Sequence, residues 1–303
     1  MAEPAAATRC GLVALIGAPN VGKSTLVNAL VGSKVTIVSP KVQTTRMLVR
    51  GIAIEGAAQI ILVDTPGIFT PRRRLDRAMV TAAWSGAHDA DLVCVLVDAT
   101  RGLNDETGAL FAKLADVRQP KILTLNKVDA VEKPRLLALA AEANARVPFA
   151  ATFMISALRG DGVADVRRWL ADHLPPGPWL YPEDQIADAP SRSLAAEITR
   201  EKLYLRLHQE LPYQSTVETE VWRELKDGAV RIEQTIYVER ESQRKIILGK
   251  GGRTIKAIGA EARRELAEIF ERPVHLFLFV KVRERWAEEP ERYREMGLEF
   301  PKD

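Results

Sequence analysis

The chain has 303 residues, 47% of them hydrophobic and 27% charged, with a formal net charge of +3 and two cysteines, Cys10 and Cys94. That length allows two domains, each able to bury its own core, and the composition is that of an ordinary soluble protein. Two cysteines in unrelated contexts exclude a disulfide framework and a cysteine zinc site, while so small a net charge neither demands nor excludes a nucleic-acid partner, because a local basic patch hides easily in it.

"MAEPAAATRC" (Met1–Cys10) has no basic segment followed by an apolar core, so no signal peptide is expected. The longest apolar runs, such as Leu92–Val97, are far too short to span a bilayer. A cytoplasmic monomer is the expectation. Leu12–Gly17, Gln59–Asp64, Asp91–Asp98, Lys121–Asn126 and Thr152–Ser156 are dense in aliphatic residues and end in turn signals. They read as buried parallel strands. Alternating with helical segments, they predict a doubly wound α/β domain over 1–174. Ligands of such sheets sit beyond the carboxyl ends of the strands, and each motif of this half falls at such an end.

Leu174–Pro190 holds five prolines, which exclude regular structure. Residues 175–190 therefore read as a stiff interdomain linker. The pattern then changes. Ser193–Leu211 is helical, with Ser193 as N-cap and Leu203, Leu207 and Leu211 on one face. Thr216–Val221 and Val230–Val238 alternate as half-buried strands joined by a turn at Lys226–Gly228. On the second of these, Val230, Ile232, Gln234, Ile236 and Val238 share a face. Two helical segments hinged at Gly249–Gly252 follow, and Val274–Val282 is a last strand. The order over 191–303 is helix, strand, strand, helix, helix, strand, a smaller α+β domain. Arg283–Gly297 mixes charges and reads as a solvated helix or tail.

Three stretches of the first domain carry chemistry. "GAPNVGKST" supplies Gly17, Ala18, Pro19, Asn20, Val21, Gly22, Lys23, Ser24 and Thr25. Between a strand and a helix, this spacing makes a phosphate-binding loop. Its glycines let the backbone wrap phosphate oxygens, and N–H groups at the helix start face the charge. Lys23 then neutralises the β- and γ-phosphates, and Ser24 ligates Mg²⁺. "NKVD" (Asn126–Asp129) ends the fourth of these strands. The Asp129 carboxylate can accept both N1–H and N2–H of guanine, whereas adenine leaves it unpaired at a cost of about 1–3 kcal/mol or more. Lys127 lies along the base, Asn126 ties this loop to the phosphate loop, and Ser156, Ala157 and Leu158 offer the Ala157 N–H to guanine O6. "DTPG" brings Asp64 toward Mg²⁺ and the Gly67 N–H toward the γ-phosphate. In "KVQTTR" (Lys41–Arg46) a threonine closes on the metal; Thr45 is favoured, with Thr44 as the alternative.

In the second domain, Gly249-Lys250-Gly251-Gly252 lies between two helical segments. Arg244, Lys245, Lys250, Arg253 and Lys256 supply charge near it, and Ile246, Ile247 and Ile255 offer an apolar wall. Glycines there permit close approach to a sugar–phosphate backbone. Phe277 and Phe279 share a strand face, where they stack bases or, as the preferred reading, pack under a helix.

The first-domain motifs resemble, in order and spacing, those of the Ras-like GTPase superfamily. The second domain resembles a type II KH fold with its GXXG loop. Together with "ELPY", "TVE", "IGAEAR" and "PVHLFLFVKV", the chain resembles, nearly end to end, the Era family of GTPases. That resemblance implies GTP/GDP and Mg²⁺ as ligands. It also implies binding of the single-stranded 3′ end of small-subunit (16S) rRNA, assistance to 30S ribosomal subunit maturation, and peripheral association with the inner membrane. One position departs from the Ras pattern, since Ile68 stands where those switches place a water-orienting glutamine. Slow intrinsic turnover follows, and Lys23, Thr45, Gly67 and Asn20 are the candidate catalytic groups. Asn20 is either a turn residue or the ligand of K⁺, as in potassium-activated GTPases. The alternative function is an RNA-binding assembly protein whose nucleotide site does not turn over.

Overall fold

A computed structural model describes residues 8–41, 44–207 and 211–301. The expectations for Met1–Ala7, Val42–Gln43 and His208–Glu210 lie outside the described residues. The described residues form two compact units, one of 8–36, 45–188 and 296–301, the other of 37–41, 44, 189–207 and 211–295.

In the first unit the elements run β1 (Arg9–Ile16), α1 (Lys23–Val31), β2 (Val49–Glu55), β3 (Ala58–Asp64), α2 (Arg74–Asp89), β4 (Leu92–Asp98), α3 (Asp105–Lys113), β5 (Lys121–Asn126), α4 (Lys133–Arg146), β6 (Ala151–Ile155) and α5 (Val163–His173). All five expected strands are present. They form one sheet in the order β2-β3-β1-β4-β5-β6. Every pairing is parallel except β2 with β3. The strand β2 was not foreseen, because Arg50 and Gly51 interrupt its apolar pattern. Parallel strands need crossover helices on both faces, and two apolar clusters accordingly lie on the two sides of β1: Val13 and Leu15 in one, Ala14 and Ile16 in the other.

Register aligns the functional edge. Leu15 pairs with Asp64, Asp98 with Asn126, and Asn126 with Ile155, so the strand ends finish at one level.

The proline-rich stretch is not a spacer standing apart. Ile52 N–H donates to the Ile186 carbonyl at 2.8 Å, and Asp188 N–H to that of Arg50 at 2.9 Å, along the edge strand β2. Gln59, wholly buried, accepts from the N–H groups of Leu180 and Tyr181 at 2.9 and 3.0 Å and donates to the Tyr181 carbonyl at 2.8 Å. Proline removes donors and fixes φ, but leaves the carbonyls and intervening N–H groups able to dock.

The second unit continues with α6 (Ser191–Arg206), β7 (Ser215–Glu224), β8 (Val230–Val238), α7 (Glu241–Leu248), α8 (Arg253–Ile269), β9 (Val274–Val282) and α9 (Pro290–Glu295). The sheet order is β7-β8-β9, antiparallel then parallel. The foreseen face of β8 is buried along its whole length. Leu203, Leu207 and Leu211 are buried together, although α6 starts and ends earlier than expected and Pro190, not Ser193, is its N-cap. Arg283–Gly297 is not solvated throughout. Trp286, Tyr293 and Arg292 are buried, and Arg292 lies over the Tyr237 ring at 4.8 Å.

Replacing Gln59 by Leu keeps the volume and removes the acceptor for two backbone donors. We expect Gln59→Leu to cost about 1–3 kcal/mol in denaturant unfolding and to speed native-state proteolysis within 175–190. Unchanged stability and cleavage would contradict this account of the stretch.

Candidate nucleotide-binding site and nucleic-acid interface

The loop from Gly17 to Gly22 joins the buried β1 to α1. Gly22 is the N-cap, with φ +101°, a region L-residues rarely enter. A Cβ there would also strike the Asn126 amide. Asn20 is left-handed too, at φ +63°, a conformation asparagine tolerates better than most residues. The switch motif docks on this loop through the Ile68 N–H, which donates to the Gly17 carbonyl at 3.0 Å.

Lys23 is buried, and its ammonium donates to the carbonyls of Gly17 and Ala18, both at 3.1 Å. Burial pushes its pKa down to about 8, against the opposing pull of the Asp64 charge. Concentrated cation and loop donors at a helix start make an anion-binding site.

Asp64 is fully buried at the end of β3. Its Oδ2 accepts from Ser24 Oγ at 2.7 Å, Thr36 Oγ1 at 2.8 Å and Thr45 Oγ1 at 3.3 Å, and Ser24 and Thr45 are 3.0 Å apart. Burial raises the Asp64 pKa, while the Ser24, Thr36 and Thr45 bonds and the Lys23 charge act to lower it. The other carboxylate oxygen, Oδ1, is buried without a hydrogen-bond partner. An orphaned anionic oxygen beside two hydroxyls is the hard-oxygen donor set that suits Mg²⁺. Thr44 does not join this set. Its hydroxyl donates to the Lys41 carbonyl at 2.8 Å and contacts Ser39 Oγ.

Asn126 is the second hub. Its Nδ2 donates to the Val21 carbonyl at 2.8 Å, and its Oδ1 accepts from the N–H groups of Lys127 at 2.8 Å and Ala157 at 3.0 Å. The tie to the phosphate loop is as expected. The Ala157 N–H, expected to face guanine O6, is buried and needs an acceptor, and in this structure the Asn126 amide oxygen supplies one. Ser156 is buried, whereas Leu158 is 84% exposed.

Lys127 spans two loops, donating to the Asn20 carbonyl at 2.8 Å and to Asp98 Oδ2 at 2.7 Å. Burial alone would raise the Asp98 pKa, but Lys127 and Thr100 outweigh it and hold the group below the usual carboxylate range. The Asp129 carboxylate, 19% exposed, ion-pairs with Arg159 Nε at 3.3 Å. Asp98, Thr36 and Arg159 were not foreseen. Asp98 ends an apolar strand as Asp64 does, and that shared position is the one signal in the sequence. Among the described residues no group of three or more acidic, histidine or cysteine side chains makes a separate metal site.

In the second unit, α7 ends at Gly249 (φ +70°, ψ 171°), whose Cβ would collide with Thr254. Only glycine fits, and the chain turns at once into α8. Lys245, Ile246, Lys250, Gly251, Arg253 and Lys256 are exposed around the turn. Arg244 is half-buried, with Nε donating to the Val280 carbonyl at 3.2 Å. Ile246 is 58% exposed, but Ile247 is in the core and cannot form part of the wall. Phe277 and Phe279 do not pack under a helix; they are 43% and 48% exposed, and the Arg231 guanidinium lies over the Phe277 ring at 4.7 Å. The alternation puts Leu276 and Leu278 against the helices instead.

Residues 12–127 match the family model described as a 50S ribosome-binding GTPase, and residues 210–287 match the KH domain model. The chain is 72% identical over 301 residues to GTPase Era of Afipia carboxidovorans, covering 99% of this chain and 98% of that one. The chain belongs to the Era family of GTPases. Era of Brucella suis biovar 1 is 69% identical over 294 residues, 97% of this chain and 94% of its own. The fold matches a crystal structure of Era in complex with MgGDPNP and nucleotides 1506–1542 of 16S ribosomal RNA, with a TM-score of 0.90 at 38% identity, covering 96% of this chain and 99% of that one. It also matches a tyrosine-to-alanine variant of Aquifex aeolicus Era bound to GDP·AlF4⁻, with a TM-score of 0.91 at 38% identity and the same coverage.

Asn126→Ala removes the partner of the Val21 carbonyl and the Ala157 N–H at once. We expect guanine-nucleotide affinity measured by calorimetry to fall at least about tenfold, with a loss of about 1–3 kcal/mol in stability. Wild-type affinity would show that the loops hold their places without this amide.

Proposed function

We propose that this Era-family chain binds and hydrolyses GTP in the first unit and holds the single-stranded 3′ end of small-subunit (16S) rRNA on the second. The bound nucleotide sets RNA affinity during maturation of the 30S subunit, in the cytoplasm. The observation that carries the nucleotide half is the convergence of Ser24, Thr45 and the orphaned Asp64 Oδ1 beside the buried Lys23. The RNA half is supported by the relative's complex with 16S ribosomal RNA and by the cations around Gly249–Gly252.

Lys23 meets the β- and γ-phosphate oxygens, whose charge keeps it protonated at neutral pH despite its burial. Ser24, Thr45 and Asp64 would hold Mg²⁺, which when bound neutralises the same oxygens. The Gly67 N–H contacts the γ-phosphate. Asp129 accepts from N1–H and N2–H of guanine, and Lys127 lies along the base while Asp98 fixes its ammonium. Ile68 packs at the edge of the apolar core and cannot orient water, so basal turnover is slow. Electrostatic stabilisation then comes from Lys23 and the loop donors.

On the second unit, Gly251 and Gly252 let the RNA backbone approach the start of α8. Lys245, Lys250, Arg253 and Lys256 neutralise phosphates, and Ile246 contacts bases.

We expect calorimetry to show GTP bound about ten- to a hundredfold more tightly than ATP, the range set by an unpaired Asp129. Lys250→Glu should weaken uptake of a 3′-end oligoribonucleotide at least about tenfold and flatten its salt dependence. Equal uptake of ATP and GTP, or RNA binding indifferent to Lys250→Glu, contradicts the proposal.

We also propose that Asn20 ligates K⁺ beside the β- and γ-phosphates. Its left-handed backbone, with the main-chain carbonyl held by Lys127, fixes the loop's shape there. Hydrolysis should then run faster in K⁺ than in Na⁺, and Asn20→Ala should abolish the difference. Equal wild-type rates in the two salts would remove this assignment.

A further inference from the structure

Asn126, Lys127 and Asp129 share one short loop of the first unit, yet they are held unequally. The Asn126 amide makes three hydrogen bonds, with Val21, Lys127 and Ala157. The Lys127 ammonium has two acceptors, the Asn20 carbonyl and Asp98. The Asp129 carboxylate is held by Arg159, whose Nε lies 3.3 Å from Oδ2 and which is, among the described residues, its one ion-pair partner.

Both backbones beneath this pair are fixed. Asp129 sits in the turn Val128–Ala130, where the Ala130 N–H donates to the Lys127 carbonyl at 3.1 Å. Arg159 belongs to the loop after β6. Its N–H donates to the Ser156 carbonyl at 3.2 Å and to Ser156 Oγ at 3.3 Å, and the Gly160 N–H donates to the same carbonyl at 2.8 Å. The Ser156 N–H, on a wholly buried residue, donates to the Asp161 carbonyl at 3.0 Å and closes the turn. Gly162 leaves it at φ +72°, where a Cβ would come 2.6 Å from the Met154 carbonyl oxygen, so a side chain is barred there. What stays free is the pair of side chains.

The Arg159 side chain is 63% exposed, and an ion pair in water adds little to stability. Its effect is on direction. The last torsion of an aspartate is broad and poorly defined by itself, whereas a guanidinium donates along fixed directions in its own plane. An N–H anchored on Oδ2 therefore sets the plane of the carboxylate. The carboxylate has about four lone-pair sites on its two oxygens. Arg159 takes one on Oδ2 and leaves room for one further donor on each oxygen. Guanine brings two such donors side by side, N1–H and N2–H. Hypoxanthine brings N1–H alone and gains less from a carboxylate set in one plane.

We propose that Arg159 is a positioning residue for Asp129. It sets the plane of the carboxylate and thereby sharpens selection for the 2-amino group of the base. This rests on the reading that Asp129 selects guanine.

The test is calorimetry on the full chain with Mg²⁺ and GDP, inosine diphosphate or ADP. Wild type should prefer GDP to both of the others. Arg159→Gln keeps the length and removes the charge. It should weaken GDP about three- to fivefold, the upper range for an exposed pair, and inosine diphosphate less than about twofold, so that the ratio between them falls. Arg159→Lys keeps the charge without the fixed fork and should recover part of the GDP affinity. A residue that only props the loop, or a cation that only attracts the phosphates, would weaken both nucleotides equally. Equal losses, or an unchanged ratio, therefore overturn this proposal alone. Tighter GDP binding by Arg159→Gln also overturns it, because Arg159 would then compete with the base. GDP and ADP bound alike by wild type overturn the reading beneath and this proposal with it.

Discussion

The carboxylate of Asp64 is the constraint on which the rest depends. It is a charge-bearing group with no exposed surface, three hydroxyls on one oxygen and nothing on the other. A carboxylate is buried in this way only when hydrogen bonds and positive charge offset the loss of water. Lys23 and the hydroxyls of Ser24, Thr36 and Thr45 supply that offset. They come from three parts of the chain: Lys23 and Ser24 from the helix start, and Thr36 and Thr45 from the two ends of the switch segment. Satisfying one anion therefore fixes the relative positions of all of them.

Asn126 performs the corresponding task on the base side, through neutral bonds. One amide joins the phosphate loop, its own loop and the loop after β6. The strand register makes both hubs possible, because it sets the ends of β1, β3, β4, β5 and β6 at one level. A sheet built only for stability has no such need. The energetic burden is visible in the lowered pKa of Lys23 and the orphaned oxygen of Asp64, and a bound nucleotide with its cation relieves both.

Much of this was legible in the sequence where chemistry dictates residue type and spacing together. The phosphate loop, Asp64, the Asn126–Asp129 loop and the glycine turn at Gly249 all lie where the spacing put them, and alternation in β8 gave the right face. What stayed hidden depended on partners distant in the chain. Asp98 and Thr36 are single polar residues whose roles exist only through Lys127 and Asp64. In "KII" the two isoleucines are adjacent, and only the packing decides that Ile246 is out and Ile247 in. Alternation paired Phe277 with Phe279, but not which side of the sheet the helices cover. Trp286 and Tyr293, in separate short turns of helix, are masked in the sequence by the charges around them. Prolines excluded helix and strand from 175–190 without excluding the docking that Gln59 provides.

The central claim is that one buried carboxylate gathers the helix start and the two flanks of the switch segment, Thr36 and Thr45, around the nucleotide. Amide hydrogen exchange on the full chain, comparing GDP with a Mg²⁺-bound GTP analogue, addresses it directly. The account predicts slower exchange with the analogue at Thr36 and Thr45 together with the phosphate loop and α1. Protection confined to the phosphate loop and α1, with Thr36 and Thr45 unchanged, would contradict it.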